Sequence, residues 1–565
     1  MYVRPRPRFR PRNAGGVPFS PALLFTSGVA GAWYDPSDYS TLFQDSADTN
    51  PVTAVEQPVG LMLDKSQGLA LGSELITPVA NQDFSSDTGY WTKSATTTIA
   101  SGKASLASVP DGTYALIRTG VLTVGKVYTI TIDVLDYSTG EVVIRDGAVN
   151  HPFKSPSSAA SNGTKSVTFL ASGNAVGIRT VGITTLSVDN ISVKELAGNH
   201  ASQATAASRP VLRARYNSLL YSETFSNAAW QSASSGTAAA GVKTPNFGTA
   251  PDGTQTACRI QLDVSAGSTG NQSQIYQNYA CVVGNLTYQC YVKTNDGSTK
   301  TIQPFTATGA ALTVTGTWQL FTFTRNSAAT TDNFQFILIK GTTSDTADLL
   351  VWHPQSNPGS SAGTYQRIAA ATDYATAGFL PYLSLDGTDD SFGTNSIDFT
   401  ATDKMYLCAG VTKLSDAVVG IIAELSTAAG SGANLGTFNF SNQTLPVGWR
   451  FSAGSGTVGS AYAIDDFSTF TAPITNVISG IANLAGATIN DEISARVNGA
   501  VPTQSISGSV STGNFGNWPL YIGRRANASS PFEGRIYGLI VCGKMLSASE
   551  LSSTESWMNS RTGAY

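Results

Sequence analysis

Hydrophobic and polar residues alternate with a period of two along much of the chain. Tyr128, Ile130, Ile132 and Val134 are separated by Thr129, Thr131 and Asp133, and Tyr288, Cys290 and Val292 alternate with Gln289, Tyr291 and Lys293. Successive side chains of a strand point to opposite faces, so each run predicts a half-buried strand. Residues 334–339 and 536–542 are apolar on both parities, which predicts strands covered on both sides. Between such runs stand turn dipeptides: Asp111-Gly112, Asp146-Gly147, Asp252-Gly253, Asp296-Gly297 and Asn498-Gly499. Aspartate and asparagine tolerate left-handed backbone and glycine adopts it freely, so these mark tight connections. Many short strands joined by such turns are the pattern of β-sandwiches.

One segment breaks this rhythm. Ser547 and Glu550 form a capping box, Leu546 can staple to Leu551, and Gly563 stands where a helix from 547 to about 561 would end. Leu551, Trp557 and Met558 would be its packing face.

Two stretches repeat each other. "GSELITPVANQDFSSDTGYW" is followed by "VPDGTYALIR", "VGKVYTITIDV", "GTKSVTFLA" and "LSVDNISVKEL"; "NSLLYSETFSNAAW" is followed by "APDGTQTACRI", "VGNLTYQCYVK", "GTWQLFTFTR" and "DLLVWHPQ". Order and spacing match, so 73–197 and 216–370 read as two copies of one jelly-roll-like sandwich. A repeat of this length indicates tandem modules rather than a solenoid.

Composition sharpens the picture. At roughly 150 residues per domain, 565 residues suggest about four domains. The hydrophobic fraction is 41%, enough for packed cores, and charged residues are 13%, about half the usual share; that combination excludes a disordered chain. No apolar run approaches the ~20 residues that span a bilayer, so membrane insertion is not expected. The N-terminus has arginines but no uninterrupted apolar core, so no secretory signal is evident. Net charge is −4, of which Arg4, Arg6, Arg8, Arg10 and Arg12 supply +5, leaving −9 for the rest. An acidic body argues against nucleic acid as a partner. Five cysteines without C-x-x-C spacing give neither a disulfide framework nor a zinc site, and read as small buried hydrophobes.

The opening "SELITPVANQDFSSDTGYW" and closing "SVDNISVKEL" of the first repeat make the pair resemble the carbohydrate-binding β-sandwich modules found in tandem on bacterial and phage surface proteins. The C-terminal third resembles a concanavalin A-like (laminin-G-like) lectin domain, through "YLSLDGTDDSF", "ISARVNGA" and "LYIGRRANASSPFEGRIYGLIVCGKMLSASEL". Pieces that open such domains are scattered here: "AWYDPSDYSTLF" from Ala32, "LDKS" ending at Ser66, "GNHASQATAASRPVLRA" at 198–214, and "DGTDD" from Asp386. The resemblance implies one discontinuous lectin-like domain, 30–66 plus 198–214 plus 373–565, with both jelly rolls inserted in its early loops. The alternative places 30–66 in a separate anchor. Residues 1–29 form a basic arm. The fold class expected is therefore all-β: two jelly-roll modules plus a concanavalin A-like sandwich, with one short C-terminal helix. The whole arrangement, especially "YQRIAAATDYATAGFLPYLSLDGTDDSF", resembles bacteriophage tail-fibre or tail-appendage virion proteins. That implies a non-enzymatic structural subunit on the surface of the phage particle, a homo-oligomer, plausibly a trimer. Its partners would be other virion proteins and host cell-surface polysaccharide. A capsid or tail decoration role and a polysaccharide depolymerase are the rival classes.

Glycan hydrolases of the concanavalin A-like fold often carry Glu-x-Asp-x-Glu, since hydrolysis needs paired carboxylates. None of the ten glutamates has Asp two positions on. His151, His200 and His353 stand alone in sequence, and no Gly-x-Ser-x-Gly elbow supports a serine nucleophile. Catalytic residues are therefore expected to be none. Sugar sites use aromatic faces with polar neighbours. Trp449, Trp518 and Tyr90 are the surface candidates; Trp91, Trp230, Trp318 and Trp352 read as core. Carbohydrate-binding sandwiches often hold a structural calcium, and the resemblance implies Glu74 and Asp189, with Asp111, as ligands; the same carboxylates could simply cap turns. In the second copy Asp348 stands in the closing strand, but Glu223 is displaced in its motif. Asp386, Asp389 and Asp390 could bind a cation or form a solvated hairpin tip. In "RPRPRFRPR" alternating prolines favour an extended conformation, so five guanidiniums would project from a stiff arm. It reads as a docking arm for other virion proteins or as an unstructured tail, and its charge would make only a weak, salt-sensitive contact with nucleic acid.

Overall fold

A computed structural model describes residues 19–46, 50–153, 158–304, 311–427, 436–444, 447–455, 460–465 and 470–565. The arm carrying Arg4, Arg6, Arg8, Arg10 and Arg12 lies outside them. The fold is all-β, built of several sandwiches, with a short C-terminal helix. No helix among the described residues is long and apolar enough to cross a membrane.

The largest sandwich is assembled from distant parts of the chain. In one sheet the strand Glu533–Cys542 pairs with Gly31–Tyr34, Tyr382–Asp386 and Lys404–Lys413, and Val211–Arg213 pairs with Tyr382–Asp386. In the facing sheet Ala201–Ser202 bridges Leu61–Met62 and Phe392–Asp398. Trp33 and Leu383 therefore sit in one sheet, and one core runs from Ala32, Leu42 and Met62 through Leu212 to Leu407 and Ile536. Gly31 is required by close approach, since a Cβ there would lie 2.1 Å from the Val541 carbonyl oxygen.

The two repeats are sandwiches with their own cores. In the first, Val127–Arg145 and Val176–Leu196 are long strands whose register shifts let them serve both layers. In the second, two five-stranded sheets pack around Leu219, Trp230, Tyr288 and Phe334. The repeat is visible in atomic detail: the buried Trp91 indole donates to the Asn81 carbonyl at 2.9 Å, and the buried Trp230 indole to the Tyr221 carbonyl at 2.9 Å. Four cysteines are buried and Cys281 is half-buried, none in a disulfide; burial pushes the Cys258 and Cys542 thiols up to about 12.

The helix runs Ala548–Thr562. The Ser547 hydroxyl accepts from the Glu550 amide and the Glu550 carboxylate accepts from the Ser547 amide, while Gly563 ends the helix at φ 62°. Met558, Leu551 and Trp557 face the sheet with Trp33, Tyr406 and Ile540.

Where each repeat leaves the large sandwich, a buried polar side chain ties entry to exit. The Asp64 carboxylate, fully buried, accepts from the amides of Trp33 (2.8 Å), Ser66 (2.8 Å) and Asn199 (2.7 Å) and from the Ser66 hydroxyl (2.8 Å). The Asp64 amide donates to His200 Nδ1 at 3.0 Å, so Nε2 carries the proton and donates to the Leu196 carbonyl at 3.0 Å. At the second insert, buried Gln366 accepts from Tyr216 (2.6 Å) and Asn217 (3.2 Å) amides. It donates to the Ala214 (2.6 Å) and Ala375 (2.8 Å) carbonyls, which uses every polar position of its amide.

Truncating Asp64 to Ala strands four donors in a dry site, and a loss of about 3–5 kcal/mol is expected in denaturant unfolding of the large sandwich. Burial holds the His200 pKa below 6.5. The folded state then binds fewer protons than the unfolded one, so this stability is full above pH 6.5 and declines as pH falls through it. His200→Gln should flatten that decline.

Candidate functional site

The surface tryptophans chosen by sequence are placed differently by the structure. Trp449 is fully buried, packed near Phe440 with its indole donating to Asn476 Oδ1 at 3.1 Å, and is therefore a core residue. The neighbouring Gly448 suggested a loop, but Val447–Gly454 is a strand whose positions 449, 451 and 453 face inward. Trp518 is half-buried against the same core. Tyr90 is half-buried, edge-on to Trp91 at 5.3 Å, and its face is covered by the Arg118 guanidinium at 4.6 Å.

The three carboxylates chosen for calcium do not converge. Glu74 accepts from the Ile76 and Val193 amides (3.0 and 2.9 Å) and the Ser192 hydroxyl (2.6 Å), closing the module at one end. Asp111 accepts from the Gly182 amide at 2.8 Å, eleven residues back along the strand that contains Val193, on the order of 30 Å away at the rise of a strand. Asp189 bonds the Asn190 amide at 2.7 Å and faces Asp133 across the ladder. Burial first, then the charges of Asp133 and Asp83, raise its pKa.

Among the described residues, the group with carboxylate oxygens within 4.8 Å of one another is Asp386, Asp389 and Asp390. It forms a turn that also clasps an earlier segment. Asp386 accepts from the Thr388 amide (2.8 Å), Asp390 from the Asp386 amide (3.0 Å), and Asp389 from the Ser208 hydroxyl (2.7 Å). Burial and then the Asp386 charge push the Asp390 carboxyl up to about 7. The oxygens suit a hard cation by chemistry, and each carboxylate already has a partner in the fold.

Each histidine, isolated in sequence, gains a partner in space. His151 lies 3.2 Å from Asp146, which accepts four backbone amides. His353 is stacked between Trp352 and Tyr365, with Nε2 3.3 Å from Glu223. The adjacent Ser222 hydroxyl is engaged by the Ile368 backbone and by Tyr365.

The second repeat carries a further apolar cluster on the outer face of one sheet, in which Trp352, read as core, is buried and Trp318, read the same way, is half-buried. Here the sheet of Ala239–Gly248, Ala257–Asp263, Thr346–Pro358, Gly284–Thr294 and Gln319–Ser327 turns one face outward. Cross-strand pairing sets Tyr291 beside Trp352 and Leu320, and Leu350 beside Lys293 and Arg259. Trp352 and Leu350 form an apolar patch separate from the module core, with Tyr291 and Trp318 half-buried against it. The Trp352 and Tyr291 rings lie 5.5 Å apart. Lys293 lies over the Trp318 ring at 5.4 Å, and Arg259 is forked onto Asp348 at 2.8 and 2.7 Å. Gly248 makes room for the patch, as a Cβ there would lie 2.6 Å from Leu350. Parity held the signal for these residues. Cys290, Val292 and Val351 point into the core, so Tyr291, Lys293 and Trp352 lie on the opposite face of the sheet, where Trp352 is buried in the second cluster.

No protein-family model matches the chain, and no curated protein matches it. Solved structures give distant likenesses. The CBM22-1-CBM22-2 tandem domain of Paenibacillus barcinonensis Xyn10C is 9% identical, over 51% of this chain and 99% of that one, with a TM-score of 0.18. The Ruminococcus gnavus IT-sialidase CBM40, bound to alpha2,3 sialyllactose, is 12% identical over 29% and 97%, with a TM-score of 0.20. The Trypanosoma rangeli sialidase is 11% identical over 53% and 66%, with a TM-score of 0.23. Likeness at this level carries no functional argument.

The Asp390 pKa gives a test of the carboxylate turn. With a folded pKa near 7 and an unfolded value of about 4, stability is full below about pH 4 and is lost as pH rises through 7. Asp390→Asn should be more stable than the parent at pH 8 by about 1–2 kcal/mol, after discounting for partial solvation, and equal to it at pH 4. A variant less stable than the parent at pH 8 would mean that the carboxylate is charged and held by a cation.

Proposed function

We propose that this chain is an adhesive, non-enzymatic subunit of a bacteriophage tail fibre or appendage, exposed on the virion surface. It would dock to other virion proteins through the basic arm that carries Arg4, Arg6, Arg8, Arg10 and Arg12, shorter than the 1–29 read from sequence because Pro21–Gly28 is a helical turn packed with Leu24 and Phe25 against the sheet, and hold host-surface polysaccharide on its sandwiches. The observation that carries the glycan reading is the pair Trp318 and Tyr291, half-buried over the buried Trp352 on the outer face of the second repeat. The half-buried rings of Trp318 and Tyr291 would meet the apolar face of a pyranose, with Lys293 moving off Trp318, while Lys293, Arg259 and Asp348 would partner ring hydroxyls. Two half-buried rings offer little area, so each contact would be weak, and assembly into a homo-oligomer, a trimer in this reading, would make it useful through effective concentration. The face lies on a sheet of the second repeat rather than on a loop.

Glycan-array binding of the full-length chain, followed by titration with the best oligosaccharide, tests the reading. Trp318→Ala combined with Tyr291→Ala should weaken binding by about tenfold or more, with the fold intact by circular dichroism. Failure to bind any glycan, or binding indifferent to both substitutions, would point instead to a decoration role built on protein contacts. Release of reducing ends from host polysaccharide would point to a depolymerase.

A further inference from the structure

The outer face of the eight-stranded sheet is covered twice. At one end lies the helix Ala548–Thr562, and at the other the base of the second insert, where Tyr216, Tyr374 and Phe379 pack. Between them a cleft of about 630 Å³ remains, floored by Thr412, Thr475, Arg535 and Tyr537 and walled by residues 357–364 and 560–564. Its lining contains two arginines and neither aspartate nor glutamate, in a chain whose net charge is negative.

The two arginines differ. Arg561 is paired with Asp35 at 3.3 Å and lies over Trp557 at 4.8 Å. Arg535 has no carboxylate partner among the described residues. Its guanidinium sits over the rings of Tyr382 at 4.6 Å and Tyr216 at 5.6 Å. Those tyrosines are themselves fixed, the Tyr216 hydroxyl donating to the Leu380 carbonyl at 2.7 Å and the Tyr382 hydroxyl to the Arg215 carbonyl at 2.5 Å. Tyr537, which shares a hydrogen bond of 3.1 Å with Thr412, also hydrogen-bonds the guanidinium. Aromatic faces thus hold the guanidinium while spending few of its five N–H groups, and a permanently charged fork in a hydroxyl-lined cleft is left without an anion.

We propose that this cleft binds the carboxylate of an acidic saccharide, with Arg535 pairing to it in bidentate fashion. Thr475 and Ser361 would meet neighbouring sugar hydroxyls. Guanidinium and carboxylate match in geometry, and the hydroxyl-rich walls suit a sugar rather than an apolar side chain. The site lies apart from the aromatic face of the second repeat and does not depend on it.

The test uses the full chain and calorimetric titration with oligouronates (galacturonate, mannuronate and glucuronate-containing oligomers), their carboxyl-reduced counterparts and inorganic phosphate. At least one oligouronate should bind, about tenfold more tightly than its reduced form, and more weakly as salt rises. Arg535→Gln should cost about tenfold. Because Arg535 also stacks on two tyrosines, Ser361→Glu provides a second variant: position 361 is exposed at the rim, so the added charge should repel the ligand without disturbing the fold. Trp318→Ala should leave oligouronate affinity unchanged. The proposal is overturned if no oligouronate binds, if reduced oligomers bind equally, if phosphate binds as tightly with the same dependence on Arg535, or if neither Arg535→Gln nor Ser361→Glu weakens binding. Uronate binding lost only in Trp318→Ala would reject the cleft and keep the aromatic face; uronate binding lost only in the cleft variants, with no neutral glycan bound anywhere, would do the reverse.

Discussion

A sandwich closed by three separate stretches of chain needs something at each crossing that satisfies backbone groups no strand can reach. The Asp64 carboxylate is that element at the first crossing. It gathers amides from residues 33, 66 and 199, while its own amide fixes His200. Unpaired backbone donors in a dry interior are costly, so a charged acceptor with four donors converts an expensive junction into a specific one. Gln366 does the same at the second crossing with a neutral amide. Sheet pairing, core and surface clefts all assume that these two junctions hold.

The junctions also explain how two modules can be carried without loosening their host. Ala197 donates to the Ala70 carbonyl at 3.0 Å, so the first insert leaves almost where it entered. Tyr374 reaches back across the base of the second to Glu56 at 2.9 Å. The host sheet then meets the second insert and the C-terminal helix side by side, and the cleft above Arg535 is the space between these covers. The cleft arises here from where modules are mounted rather than from what any one of them contains.

Much of the fold was legible in the sequence. Alternation at 128–134 and 288–293, the capping box at Ser547 and Glu550, and the repeated tryptophans Trp91 and Trp230 each specify a local structure that packing did not override. The site was less legible. Trp449 was misjudged because Gly448 reads as a loop while the ladder around it makes a strand. Trp352, read as core, is buried, but in a cluster outside the module core, and Trp318, read the same way, is only half-buried there. Glu74, Asp111 and Asp189 looked like a ligand set only while the length of the strand between their partners was ignored. The Arg535 cleft had no local signature, because its walls come from segments hundreds of residues apart. Residues 1–18, which carry the arginine arm, lie outside the described residues and keep the reading given to them by sequence.

The central claim is that residues 31–34, 61–66 and 198–213 belong to the same cooperative sandwich as 382–413 and 533–542. Native-state hydrogen exchange of the full chain tests it most directly. The amides of Trp33, Ser66 and Asn199 should be protected as strongly as that of Leu407 in the central strand, and should open together with it as denaturant is added. Exchange of the first three at rates typical of exposed loops, while Leu407 stays protected, would contradict the account.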